Sequence, residues 1–261
     1  MIELLLIIIV VLLVIIRLNR NKSELFNENE NLQNVNLYLI NLDRNQDRLA
    51  FFINNFNNSD INRLRFNRIE AIDGNKLDIK KYVAPHAIAE IENIYKTGYR
   101  TKHYQLSKGA VGCFLSHILI YNTIWNQNRK ISLVMEDDAI VGNIYEEMRE
   151  LTKMVPADWD IILLGYICLK CERYDNYLHV KHFFGTHAYL IKNTAARKIL
   201  DYHNKVGIDK QIDSFLSEMA MKNMLNIYAP VINMIKQNNK FGTTIQIPLR
   251  RHQFVNPYEL N

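Results

Sequence analysis

Short apolar runs alternate with amphipathic stretches of helical length over residues 36–204, and this alternation constrains the fold more than any other feature. Each run is nearly continuously apolar, which is typical of strands buried between two layers of helices. Strands separated by helices require crossovers, so the sequence predicts an α/β protein whose mostly parallel sheet is flanked by helices. The predicted strands are residues 36–42, 131–135, 161–164 and 186–191, and the predicted helices are residues 47–56, 110–125, 144–154 and 194–204.

The amino terminus is a separate segment. Residues 1–16 are almost wholly Leu, Ile and Val, interrupted by Glu3. As a helix, the uncharged run of residues 4–16 covers about 20 Å, against about 30 Å for a bilayer's hydrocarbon core. We interpret residues 1–18 as a short single-pass membrane anchor; an uncleaved signal segment or an interfacial helix also fits. Residues 19–35 are predicted to be a polar linker, residues 36–237 the folded domain, and residues 238–261 a tail or flap.

The sequence carries two opposing indications of membrane orientation. Arg17, Arg20 and Lys22 follow the apolar run, and the positive-inside rule then places the domain in the cytosol. The sequons at Asn21 and Asn57 would suit a lumenal domain. The side of the membrane therefore stays open.

Composition narrows the class of function. The chain has 261 residues, a net charge of +5 and 48% hydrophobic residues, which is ordinary for a globular protein. Its 32 Lys and Arg residues are scattered, whereas a nucleic-acid-binding protein usually concentrates them on one surface. Cys168 and Cys171 precede two histidines at a spacing that fits no common zinc finger, so a local disulfide is predicted if the domain is lumenal, and loop thiols otherwise.

Three consecutive carboxylates, Glu136 to Asp138, directly follow the predicted strand at residues 131–135. In open α/β sheets, ligands bind beyond the carboxyl ends of the strands. At about 5 Å and an effective dielectric of about 20, each pair of carboxylates costs roughly 3 kcal/mol before solvent screening. Protonation, water or a hard divalent cation would relieve that repulsion. The alternative is a solvated turn that caps the next helix.

These acids belong to an ordered set of motifs that resembles glycosyltransferase family 25, the family of bacterial lipopolysaccharide glycosyltransferases and procollagen galactosyltransferases. The resemblance implies a GT-A type nucleotide-sugar-binding fold over about residues 36–235, inverting transfer, a divalent cation (Mn²⁺ or Mg²⁺), and UDP-galactose as the leading donor. One departure is Ala110, which stands where the family usually has an acid. The motifs are LINLDR at residues 39–44 with Asp47-Arg48, AIDG at 71–74, LSKG at 106–109, GCFLSH at 112–117, EDDA at 136–139 and DWDIILLG at 158–165.

The family resemblance and the positions of the charged residues together predict which side chains contact the nucleotide-sugar donor. Asp138 is the predicted metal ligand, and Glu136 is predicted to hold a ribose hydroxyl or a metal-bound water. Arg44 and Arg48 lie near the end of the first predicted strand, where a guanidinium would pair with a phosphate of the donor. The alternative for each is an ordinary surface arginine. Asp73 is either a contact to the base or ribose or simply a turn residue. The full set of predicted donor-binding residues is Asn41, Arg44, Arg48, Asp73, Glu136 and Asp137.

Inverting transfer needs a general base for the acceptor hydroxyl. Asp213 is the preferred base, because it aligns with a late aspartate of the family; the alternative is a helix N-cap. His117 lies roughly 120° from the centre of the apolar stripe of its predicted helix, so it is either exposed or a contact to acceptor or phosphate.

The sequence therefore predicts a membrane-anchored hexosyltransferase that modifies a lipopolysaccharide-type glycan or a protein, and the resemblance implies that the hexose is galactose. Its expected partners are the nucleotide-sugar donor, the acceptor and a membrane, with no nucleic acid. The alternative is a catalytically inactive, anchored carbohydrate-binding protein of the same fold, which the residue Ala110 favours.

Overall fold

The computed structural model describes residues 32–98, 105–242 and 245. The predicted membrane anchor at residues 1–18, most of the linker, and nearly all of the tail beyond residue 242 lie outside the described residues. Among the helices that are described, none combines the length and apolarity needed to cross a bilayer.

The centre of the fold is a mixed sheet of six strands in the order β2-β1-β3-β6-β5-β7. Five of these strands run in one direction, and β6 is antiparallel to its neighbours β3 and β5. A separate antiparallel pair is formed by β4 and β8. The strands are β1 Asn36–Asn41, β2 Arg65–Glu70, β3 Ile131–Glu136, β4 Ala139–Ile140, β5 Ile161–Arg173, β6 Tyr177–Lys192, β7 Ile227–Pro230 and β8 Lys236–Gln237.

Helices cover both faces of the sheet. Local signals set several of their ends: Pro85 begins one helix that ends before a left-handed Gly98, and the Ser107 hydroxyl caps the next by accepting from the Ala110 N–H at 3.0 Å. The α-helices are α1 Gln46–Asn57, α2 Pro85–Thr97, α3 Lys108–Asn126, α4 Tyr145–Met154, α5 Asn193–Val206 and α6 Ile212–Met221. Short 3₁₀ helices span Leu32–Asn34, Asp60–Arg63, Gly74–Lys76, Ile79–Lys81 and Asn239–Phe241.

Alternating side chains of the central strands divide the core into two layers. On β1, Leu37 and Leu39 pack with α1 and α4, whereas Tyr38 and Ile40 pack with α2, α3, α5 and α6. Both faces are buried, as the nearly continuous apolar runs predicted. The predicted α/β architecture with a central sheet between helices is confirmed.

The structure adds elements that the sequence patterns did not indicate. Strands β5 and β6 continue well beyond their buried portions as a hairpin, with Arg173 paired to Leu178 near its tip. Residues 167–170 are exposed and broken by β-bulges, so no apolar run marks this extension. Strand β2 is a partly exposed edge strand, so its sequence is polar and carries no apolar run.

The order in which the chain visits the strands places a crevice at one edge of the sheet. After β1 the chain crosses to β2 on one side, and it later returns to β3 on the other side of β1. All three strands are parallel, so their carboxyl ends meet at the same edge. Such a reversal of strand order is where open α/β sheets bind ligands. Asn41 and Glu136, the last residues of β1 and β3, both lie at this position.

Candidate active site

Two adjoining clefts open at this edge of the sheet. The first, with about 670 Å³ of empty space, lies over the ends of β1 and β3 and is bordered by the loop at residues 71–74. The second, with about 1160 Å³, lies between α3, the middle of β6 and the start of α6. Both clefts are lined by the same six residues at their junction: Cys113, Glu136, Asp138, Gln237, Gly242 and Ile245.

Asp137 is neutralised by protein groups. Its carboxylate accepts a hydrogen bond from Arg48 Nη1 at 2.9 Å and another from Asn41 Nδ2 at 2.7 Å. Burial raises the pKa of Asp137, although Arg48 and Asn41 act in the opposite direction. Among the three acids, Asp137 alone is absent from the lining of the second cleft.

Glu136 points toward α3 and β6. The Thr186 hydroxyl donates to its Oε1 at 2.8 Å, and His117 Nε2 lies 3.5 Å from the same oxygen. Burial opposes ionisation of this carboxyl, but His117 and Thr186 outweigh it, so the pKa of Glu136 lies below its usual value. Glu136 is therefore held as an anion at the junction of the clefts.

Asp138 has an unsatisfied oxygen. Its Oδ2 accepts from Gln237 Nε2 at 2.9 Å and lies 3.5 Å from Arg48 Nη1, while its buried Oδ1 has no hydrogen-bond partner. Burial and the charge of Glu136 raise its pKa to about 7. A buried carboxylate oxygen of this kind fits a hard divalent cation, which oxygen ligands suit. Asp138 as a metal ligand stays a prediction.

Arg48 is a buried structural cation and not a surface arginine. It is 6% exposed. Besides its contacts to the acids, its Nη2 donates to the carbonyl of Gly242 at 2.7 Å, and its guanidinium lies over the ring of Phe241. The surface alternative for Arg48 is wrong, because α1 buries the side chain against the acidic turn and the segment at residues 236–242.

The loop at residues 71–74 presents Asp73 to the first cleft. Asp73 forms an ion pair with the partly exposed Arg44, and it caps a 3₁₀ helix by accepting from the Asn75 N–H. The loop packs on α3 so closely that a Cβ added at Gly112 would lie 2.3 Å from the Ile72 carbonyl oxygen. The AIDG and GCFLSH motifs are therefore two sides of one tight contact.

His117 is completely buried behind Glu136, and it does not line either cleft. Its Nδ1 lies 2.7 Å from the hydroxyl of Tyr189, which lies 2.8 Å from the hydroxyl of Tyr121. The alternative of an exposed histidine is wrong, because α3 is buried on most of its circumference. A direct contact from His117 to acceptor or phosphate is not supported by this position.

Asp213 lines the second cleft from the first turn of α6. Its carboxylate accepts hydrogen bonds from the backbone N–H groups of Gly185 at 3.2 Å and Ser214 at 2.7 Å. The N-cap position of α6 belongs to Gln211, so Asp213 lies in the first turn of the helix and is not its N-cap residue. Ala110, which stands where the family usually has an acid, lines the same cleft.

No pattern in the sequence predicts some of the residues that line the clefts. Gln237 belongs to a polar segment with no periodicity, and only the tertiary structure brings it to Asp138. Thr186 lies in a predicted strand, where a single threonine carries no signal of contact with an acid. Cys168 and Cys171, for which the sequence left two states open, form a disulfide within β5, next to Ile167 of the second cleft.

The buried ion pair leads to a prediction about stability. Replacing Arg48 with Met leaves Asp137 buried without its cation, and we expect a loss of about 3–5 kcal/mol in the free energy of unfolding. The matched change Arg44→Met removes an exposed ion pair and should cost no more than about 1 kcal/mol. Urea unfolding measures both. Adding Asp137→Asn to Arg48→Met should recover part of the loss; equal effects of the two arginine changes would contradict this role of Arg48.

Comparisons with known proteins agree with the motifs. The family model described as glycosyltransferase family 25 (LPS biosynthesis protein) matches residues 34–216. The chain is 28% identical over 205 residues to procollagen galactosyltransferase 1-B of Xenopus laevis, covering 74% of this chain and 32% of that protein. It is 25% identical over 207 residues to human procollagen galactosyltransferase 2, covering 74% and 31%. The chain thus spans about a third of the length of these relatives.

Solved structures show more distant similarity. The apo form of the glycosyltransferase GlyE of Streptococcus pneumoniae TIGR4 aligns with 74% of this chain and 45% of its own, at a TM-score of 0.39 and 12% identity. The apo form of mouse xyloside xylosyltransferase 1 aligns with 80% of this chain and 79% of its own, at a TM-score of 0.36 and 9% identity. The family model covers well over half of the residues, and the chain therefore belongs to glycosyltransferase family 25.

Proposed function

We propose that this protein is a hexosyltransferase with a GT-A type fold, which transfers galactose from a nucleotide-sugar donor to a glycan or protein acceptor with inversion. The observation that carries the proposal is the position of Glu136 and Asp138. These two carboxylates stand at the junction of two clefts, at the edge of the sheet where such folds bind ligands. A two-substrate reaction needs this arrangement, with a pocket for each substrate and charged groups where they meet.

The first cleft suits the donor. Arg44 and Asp73 line it as an ion pair at its rim, and a guanidinium there can bind a phosphate oxygen once a donor enters. Asp73 would then be released to accept from a ribose or base. Arg48 and Asn41 lie beneath and hold Asp137 in place, so we assign them a supporting role in donor binding.

Asp138 is the group that would hold a divalent cation, Mn²⁺ or Mg²⁺, with Glu136 close by. The cation would neutralise the charge that grows on the departing nucleoside diphosphate. Asp138 offers its buried Oδ1 for this purpose, and Gln237 orients the same carboxylate through Oδ2.

The second cleft suits the acceptor. Asp213 is our general base for the acceptor hydroxyl, because its carboxylate is fixed at the cleft wall by two backbone N–H groups. Glu136 and Asp138, at the junction of the clefts, line the same space. A hydroxyl bound between these acids and Asp213 would face the donor sugar while its proton passes to Asp213.

The choice of UDP-galactose rests on the relatives, whose names specify galactosyl transfer to procollagen. The description of the family names lipopolysaccharide biosynthesis, so a glycan acceptor is equally consistent with it. Attachment to a membrane through residues 1–18, on either side, remains part of the proposal.

A non-catalytic carbohydrate-binding protein is the second candidate, and one observation favours it. Ala110 contributes no functional group to the wall of the second cleft, where the family usually places an acid. If that acid is required for chemistry, the clefts would bind sugars without transferring them.

Donor turnover separates the two candidates. The purified full chain is incubated with UDP-galactose and Mn²⁺, and release of UDP is measured with and without galactosyl acceptors. A transferase releases UDP in a metal-dependent manner, and a suitable acceptor accelerates the release. Binding of the donor without any release of UDP would overturn the enzymatic proposal and support the binding protein.

A further inference from the structure

A cluster of three side chains that could ligate a metal lies at the junction of the clefts, and it does not include Asp138. Cys113 and His117 are four residues apart on α3, so their side chains project from one face of the helix. Glu136 reaches the same point from the end of β3. One ligand atom from each residue lies within 4.8 Å of the other two.

His117 provides an independent indication of a ligand. It is completely buried, and its Nε2 has no hydrogen-bond partner. The Glu136 oxygen lies 3.5 Å away, which is ion-pair distance without the geometry of a hydrogen bond. In the neutral form of the ring, a buried nitrogen beside a carboxylate and a thiol is costly without a partner, and a bound cation would supply that partner.

The surroundings of the three residues resemble the outer shell of a metal site. Tyr189 lies 2.7 Å from His117 Nδ1, and its hydroxyl can accept a hydrogen bond from Nδ1–H, which leaves the Nε2 lone pair facing the cluster. Tyr121 continues this chain of hydrogen bonds behind Tyr189. Thr186 orients the Glu136 carboxylate from the other side. Metal-ligating histidines and carboxylates are usually held by such partners.

We propose that Cys113, His117 and Glu136 form a Zn²⁺ site. Zinc binds sulfur, imidazole nitrogen and carboxylate oxygen in a tetrahedral arrangement, whereas Mg²⁺ and Mn²⁺ prefer oxygen ligands. Cys113 lines both clefts, so the fourth position of the cation faces open space. Zinc binding releases the thiol proton of Cys113 to solvent, because a coordinated cysteine is a thiolate. Small rotations of the half-buried Cys113 would bring its sulfur to zinc-bonding distance.

Cobalt spectroscopy tests the site without any enzymatic assay. Co²⁺ replaces Zn²⁺ in such sites, and a cysteine thiolate bound to Co²⁺ produces a charge-transfer band in the near ultraviolet. We expect the full chain to develop this band with one equivalent of Co²⁺, and added Zn²⁺ to abolish it. Cys113→Ser should eliminate the band, and His117→Gln should eliminate or strongly weaken it.

Three further variants make the test specific. The double variant Cys168→Ser, Cys171→Ser should keep the band, because those cysteines are bonded to each other and are not among the three ligands. Asp138→Asn should also keep it, since Asp138 is not one of the three ligands. Tyr189→Phe should weaken Zn²⁺ binding by about 10–100-fold, because the histidine loses its outer partner. Circular dichroism confirms that each variant is folded.

Absence of the band in the folded wild-type chain, or its persistence in Cys113→Ser, would overturn the zinc site. Loss of the band in Asp138→Asn would also overturn it, since the two cation positions would then be one. The band is read without donor or acceptor, so a chain lacking transferase activity can still show it, and an active transferase can lack it. The two proposals can therefore fail separately.

Discussion

Asp138→Asn is expected to reduce sugar transfer by roughly 10³-fold or more. The substitution removes the anionic oxygen that would hold a divalent cation against the donor's diphosphate, and loss of one such electrostatic contact commonly costs about 10²–10³-fold. Loss of the cation itself adds to that penalty. The measurement is initial-rate transfer from UDP-galactose at saturating Mn²⁺, together with the affinity for donor with and without EDTA.

The fold of the Asp138→Asn variant should survive. Burial and Glu136 already raise the pKa of Asp138 to about 7, so a neutral amide of the same shape removes repulsion in the cation-free protein. We therefore expect thermal stability equal to or above that of the wild type. Asp175→Asn, at an exposed position in the turn between β5 and β6, is the matched control and should retain full activity. Wild-type rates in Asp138→Asn, or full activity in EDTA, would contradict the metal-assisted mechanism.

The second large effect is expected for Asp213→Asn, with a loss of about 10²–10⁴-fold in the rate of transfer. The amide cannot take the proton of the acceptor hydroxyl, whereas the first cleft, more distant from Asp213, is unchanged. Donor affinity should therefore stay near wild type, and hydrolysis of the donor by water should fall less than transfer. Transfer and hydrolysis are compared in the same assay at saturating donor.

Asp209→Asn is the matched control for that experiment. Asp209 lies just before α6 and pairs with Lys210 outside the second cleft, so its replacement should leave transfer within about twofold. If Asp213→Asn transfers sugar at the wild-type rate, the base is another group. His117 would act only through Glu136, because it is buried away from both clefts.

The sequence by itself determined the architecture of the domain and the place of its acids. Strands buried on both faces are largely apolar, so residues 36–42 and 131–135 stand out in the sequence as short apolar runs. The carboxyl ends of parallel strands meet at one edge, and Glu136 follows directly on such a strand. The order of apolar and charged residues within a short stretch of chain encodes these features, so they can be predicted without knowledge of contacts between distant residues.

Only the tertiary structure decided what each acid does. Arg48 and Asp137 are 89 residues apart in the chain, and Gln237 and Asp138 are 99 apart, so no local pattern links them. The burial of His117 depends on α3 packing against other elements on most of its circumference, which a helical stripe cannot predict. Solvation and the charge of specific neighbours set the ionisation of buried carboxylates. Those neighbours are brought together by packing, and their identity is absent from the sequence around each acid.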